Sequence, residues 1–430
     1  MDKMPYSTLP PHIRKLRAGS ASGIGGLPPR LSNFRRSNSS GSASSSSGHR
    51  PFAIERDYRP SKWSDYFTEK QDIKLDNGDQ FRIYLHEDES ARKNNLPLLL
   101  LLHGGGFSSL TWACFVKSIS ELCHVRALAI DLRGHGSTKV ANENVLNLEN
   151  FIHDIDRVLL KLFSDDNIPE IILMGHSMGG AIAVHYSERC QQETIAPRIV
   201  GLIVIDVVEG TAKDALSHMQ QVLRSRPSGF KSIEFAIEWY VRSGQVKNVE
   251  AAKISMPGQI KSVDNGTCAT DLELTSNQDQ CSSISHQISN VPNQFGLSTV
   301  SESENVEESN KADSNFTLPL KPKTVQPYVW RINLSETEKY WSEWFNDLSK
   351  IFLSSKGGAK MLILAGVDRL DGPMTVGQMQ GKFQMQILPK VGHTIQEDDP
   401  DSVAHVVAAY LVRHRFSVSS TDFDYPFPSC

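Results

Sequence analysis

The chain has 430 residues, 39% of them apolar, and a formal charge of -4. That length can bury a large core, since a domain of about 300 residues already hides roughly 75% of its unfolded surface. The slight acidity excludes the basic field that nucleic-acid binding exploits, and no apolar run nears the roughly 20 residues that span a bilayer, so neither nucleic acid nor membrane is an expected partner.

Residues 1–55 hold too much Ser, Gly and Pro, and too few core formers, to offset chain entropy by burial. A disordered basic tail is expected there. The Ser- and Arg-rich composition, with Asp2 the single acid among the first 50 residues, also fits an organelle transit peptide. Cys114, Cys123, Cys190, Cys268, Cys281 and Cys430 are scattered, with no CxxC pair and no zinc-ligand spacing. Reduced thiols in a soluble cytoplasmic or nuclear protein are the expectation.

Order is expected from Arg56 to about residue 415, with a flexible tail over 416–430. Short apolar runs at Phe81–Leu85, Leu96–Leu102, Val125–Ile130, Ile171–Met174, Ile199–Ile205, Met361–Ala365 and Phe383–Leu388 read as buried strands. Helical patterns fall between them, notably Leu148–Leu162, Gly180–Arg189 and the closing Asp401–Arg413. The alternation predicts an α/β protein with a mostly parallel, doubly wound sheet. A cap is expected over about residues 210–353, with aromatic helices at Ser232–Gly244 and Glu336–Leu353. Phe235, Trp239, Tyr240, Tyr340, Trp341, Trp344 and Phe345 are expected to pack it. Between these helices, about Gln259–Lys323 is rich in Ser, Asn and Gln without an apolar period, and reads as a disordered insert.

The strongest chemical signal is the strand Ile171–Met174 running into Gly175-His176-Ser177-Met178-Gly179 and then into a helix. This strand-turn-helix with G-x-S-x-G is a nucleophile elbow, which exposes Ser177 at the carboxyl end of the sheet. A serine hydroxyl needs a base and a group to orient that base. Gly392-His393, after the last strand, offers His393 as the base; His176 is a poorer candidate because it adjoins the elbow. The strand Leu98–Leu102 ends in His103-Gly104-Gly105-Gly106, so the oxyanion hole is expected from the N–H groups of Gly105, Gly106 and Met178. The turn Asp131-Leu132-Arg133-Gly134-His135-Gly136-Ser137 is taken as mainly structural. Two acids fit the third role. Asp368 follows the penultimate strand and Asp206 the strand after the elbow helix, and periodicity does not separate them.

The stretches RPSKWSDYF, LLLLHGGG, MGHSMGGAIAVH, IDVVEGTAKDAL, YVWRINLSETEKYW, LAGVDRLD and GQMQGKFQMQILPKVGHTIQEDDPD resemble, in order and wording, the protein phosphatase methylesterase family. The match covers most of residues 56–415. The resemblance implies the α/β-hydrolase fold, with Ser177 as nucleophile, His393 as base and Asp206 as acid. It implies hydrolysis of the methyl ester on the C-terminal leucine of a type-2A protein phosphatase catalytic subunit, the protein partner, without metal or organic cofactor. A small-molecule carboxylesterase or lipase with the same triad is the alternative.

Overall fold

In the computed structural model of the chain, residues 56–163, 167–192, 197–272, 326–356 and 358–421 are described. The expected N-terminal tail, residues 1–55, and most of the expected insert, residues 273–323, lie outside them.

Eight strands form one sheet in the order β1-β2-β4-β3-β5-β6-β9-β10. They are β1 (Glu69–Lys74), β2 (Gln80–Glu87), β3 (Leu98–Leu102), β4 (Arg126–Ile130), β5 (Ile171–His176), β6 (Ile199–Ile205), β9 (Ala359–Leu364) and β10 (Gln384–Ile387). β1 and β2 pair antiparallel and β2 runs antiparallel to β4, whereas every pairing from β4 onward is parallel. A parallel sheet covered on both faces favours unbroken apolar strands, and the five leucines of β3 are all buried. Because side chains alternate, Leu98, Leu100 and Leu102 enter one core, while Leu99 and Leu101 enter the core on the opposite face. Each buried leucine contributes about 1.5–3 kcal/mol.

Helix Leu148–Leu162 follows its sequence pattern residue for residue. Asn147 caps it by accepting from Asn150 N at 3.0 Å, and Phe151, Ile152, Ile155, Val158 and Leu159 turn one stripe to the core. No described helix is long and apolar enough to cross a membrane.

The cap segment has its own small core, in which Phe230, Ile237, Tyr240, Ala252, Met256 and Ile260 pack together. A ribbon of β7 (Ile260–Ser262) and β8 (Tyr328–Trp330) closes it. Trp341, Trp344 and Phe345 instead reach the main core. Phe235 departs from the expected packing: it is exposed, with the Lys231 ammonium 4.5 Å from its ring centre. The expected single helix Glu336–Leu353 is broken into Glu338–Phe345 and Leu348–Ser354, because Asp347 sits at φ 56° between them.

Two boundaries shift. The chain stays packed beyond Gln259 to Leu272: Ile260, Cys268 and Ala269 are buried, and Asp271 bonds Arg82 at 2.8 Å. At the other end, residues 416–421 are not a free tail, since Ser417 Oγ donates to His124 O at 2.6 Å and Ser420 N to Leu122 O at 2.9 Å.

Candidate active site

β5 ends at His176 and the next helix begins at Met178, which leaves Ser177 alone on the turn. Its φ is 52°, a left-handed value that costs a residue with a side chain on the order of 1–3 kcal/mol. The turn is held on both sides: Ser177 N donates to Ile205 O at 3.0 Å, and Ser177 O accepts from Ala181 N at 3.1 Å. The two flanking glycines are required by contact. A Cβ on Gly175 would collide with the Gly179 carbonyl, and one on Gly179 with the Leu102 carbonyl.

Asp206 leaves β6 in the same left-handed region, at φ 54°. Its N–H donates to Ile363 O at 2.8 Å, which fixes it to the neighbouring strand β9. The carboxylate is fully buried. Oδ2 accepts from His393 Nδ1 at 2.7 Å and Oδ1 from Ala365 N at 3.2 Å, and Arg369 Nη1 contacts the same Oδ2. Burial opposes the charge of Asp206, but the His393 hydrogen bond, the charges of His393 and Arg369, and the Ala365 N–H hold its carboxyl below the ordinary value. His393 stands on the loop between β10 and the turn Ile395–Asp398, with its side chain 47% exposed. Asp368 is exposed on the turn Val367–Arg369. Its neighbour Arg369, which the sequence did not single out, is the residue of that turn that reaches Asp206.

The glycine loop after β3 lies beside the elbow. A Cβ on Gly105 would stand 3.7 Å from Met178 Sδ. The N–H groups of Gly105 and Met178 have no partner among the described residues, and Met178, as the first residue of its helix, has none to find within it. Gly106 corrects the expectation: its N–H already donates to His135 Nε2 at 2.9 Å, so it is not free to receive a developing oxyanion. The turn that carries His135 therefore does more than shape the fold. Asp131, buried, accepts from Ser109 N at 2.7 Å and Ser137 N at 2.8 Å, and this fixes the turn whose imidazole holds the glycine loop. Burial lowers the pKa of His135, so its Nε2 keeps the lone pair that Gly106 uses.

His176 is fully buried, and its Nε2 lies 2.8 Å from the His393 carbonyl oxygen. A carbonyl only accepts, so Nε2 carries the proton. No local pattern announces either contact, because each joins residues far apart in sequence.

An α/β-hydrolase family model matches residues 99–264. The protein phosphatase methylesterase 1 of Mus musculus is 44% identical over 379 residues, covering 87% of this chain and 90% of that protein. The probable protein phosphatase methylesterase 1 of Caenorhabditis elegans is 41% identical, covering 83% of this chain and 78% of that one. Among solved structures, E-2-(acetamidomethylene)succinate hydrolase superposes with a TM-score of 0.51 at 13% identity, covering 80% of this chain and 99% of that one, a likeness of fold. On the fold, the elbow and identity sustained over nearly the whole length of these relatives, the chain is a carboxylic ester hydrolase of the protein phosphatase methylesterase family.

Proposed function

We propose that this protein hydrolyses the methyl ester on the C-terminal leucine of a type-2A protein phosphatase catalytic subunit, with Ser177 as nucleophile, His393 as general base and Asp206 as its partner. The observation that supports this most is the 2.7 Å hydrogen bond between Asp206 Oδ2 and His393 Nδ1, on the sheet edge that also carries the Ser177 elbow. A carboxylate only accepts, so the shared proton sits on Nδ1 and Nε2 is left as the base.

His393 Nε2 takes the Ser177 proton as Oγ attacks the ester carbonyl. The negative oxygen of the tetrahedral intermediate is received by the N–H groups of Gly105 and Met178, a contribution for which loss of one donor costs about 10² to 10³ in turnover in other enzymes. The imidazolium, stabilised by Asp206, then protonates methanol as it leaves. Water, activated by the same imidazole, cleaves the acyl-enzyme and frees Ser177 and the carboxylate.

The test is methanol release from a methylated type-2A phosphatase catalytic subunit. Release by the wild-type protein that disappears with Ser177→Ala is the expected result. Cleavage of small esters alone would make the protein a small-molecule carboxylesterase instead.

A further inference from the structure

Arginines buried in this protein are paired with carboxylates. Arg82 holds Asp72 and Asp271, Arg133 holds Asp154, and Arg331 holds Glu143. That is the physical norm, because an unpaired charge taken from water costs several kcal/mol. Arg226, half-buried, is different. Its Nε is buried with no hydrogen-bond partner, and it makes no ion pair among the described residues.

The side chain is nevertheless held in place. The guanidinium stacks over Trp330, 4.7 Å from the ring centre. Trp330 in turn donates from Nε1 to Pro227 O at 2.8 Å, and Phe230 and Trp239 brace it with centroids 5.2 and 5.6 Å away. Arg226 lines a cavity of about 320 Å³, together with Leu223, Pro227, Trp330, Ile332 and Leu334.

Leu334 connects that cavity to the ester site. It is a wall of the cavity, and it also lies against the glycine loop: a Cβ on Gly106 would stand 2.8 Å from Leu334 Cδ1, and one on Gly105 would stand 3.7 Å from Cδ2. Cavity and proposed oxyanion loop thus share one leucine side chain. An extended peptide that left Gly105 and Met178 along Leu334, advancing about 3.3 Å per residue, would bring its preceding residues within reach of the cavity.

We propose that this cavity is a specificity subsite for an acidic side chain in the substrate peptide, a few residues ahead of the esterified C-terminus, and that Arg226 recognises its carboxylate. The inference rests on the peptide-ester reading of the Ser177 site. A planar guanidinium fixed by stacking, with its Nε–H buried and unpartnered, suits a carboxylate accepting two parallel hydrogen bonds.

The experiment uses the full chain and a set of N-acetylated hexapeptide leucine methyl esters without other charged side chains, in which a single Asp, or a single Asn as its control, is moved through the positions before the leucine. Wild type is expected to favour Asp over Asn at one position by about ten- to a hundredfold in kcat/KM, expressed in KM, the range expected for a hydrogen-bonded charge. With Arg226→Gln that ratio falls to about one. Arg226→Lys, which keeps the charge and loses the fork, retains only part of it and serves if the glutamine variant does not fold. Hydrolysis of the peptide esters with equal kcat/KM for Asp and Asn at every position overturns this subsite and leaves the proposed function standing. Failure to hydrolyse any peptide ester or the methylated phosphatase subunit overturns both.

Discussion

His176 Nε2 donates to the backbone carbonyl of His393 at 2.8 Å, so the residue immediately before the elbow serine holds the loop that carries the proposed base. Burial drives the pKa of His176 down to about 3, with the nearby His393 adding to the effect. The ring is therefore neutral across the working range, and the donor is constant with pH. His176→Ala removes one hydrogen bond, worth about 1 kcal/mol net, and frees the loop. Turnover on an activated ester is expected to fall about tenfold, with a thermal midpoint lowered by a few degrees. Unchanged turnover in a folded variant would separate His176 from the position of His393.

The two candidate acids now make different predictions. Asp206→Asn presents an amide to His393 Nδ1 and is expected to lower turnover by about 10⁴ with the fold preserved. Asp368→Asn, at an exposed turn position, is expected to leave turnover within about twofold. Turnover of both variants on one ester, with thermal melts, distinguishes them.

Glu397 gives stability a pH dependence. It is fully buried, and its oxygens accept from Thr111 Oγ1 at 2.5 Å and from Tyr240 OH at 3.0 Å, tying the His393 loop to the cap helix Ile233–Arg242. Burial raises its pKa from 4.5 to about 8, against the hydrogen bonds that lower it. Between those values the folded state holds a proton that the unfolded chain releases, so stability falls as pH rises through that window. Melting temperature is expected to decline from about pH 5 to about pH 8 in wild type, and less steeply in Glu397→Gln. Identical slopes would contradict the neutral carboxyl.

The revised insert boundary is testable by deletion. Removing residues 275–322 changes loop closure by only about 0.6 kcal/mol per halving of length, and hydrolysis of a small ester is expected to persist. A deletion beginning at Gly266 also removes buried Cys268 and Ala269 and the Asp271 partner of Arg82. It is expected to cost a further 1–3 kcal/mol, roughly the penalty for a buried group left unsatisfied, read as a lower urea midpoint. Equal midpoints would show that residues 266–272 add nothing to the packed core.

The central strands were legible because a parallel sheet buries both faces, and runs such as Leu98–Leu102 and Ile199–Ile205 carry that requirement openly. β1 was not, because as an edge strand of sequence EKQDIK it buries only Ile73. The elbow was legible because strand, glycines and helix are contiguous. Asp206 and Asp368 were indistinguishable from spacing alone, since what separates them is the turn of Asp206 at φ 54° and its N–H bond across to Ile363. His135, His176 and Arg369 were missed for the same reason, each acting on a residue at least 29 positions away.

Labelling the protein with a serine-directed fluorophosphonate during turnover of the methylated phosphatase subunit, and mapping the adduct by mass spectrometry of the digest, tests most directly whether Ser177 is the nucleophile. A single adduct on Ser177 is expected, with methanol release falling in proportion to its occupancy, and neither labelling nor release with Ser177→Ala. An adduct on another residue, or methanol release that continues while Ser177 is fully labelled, would contradict that role.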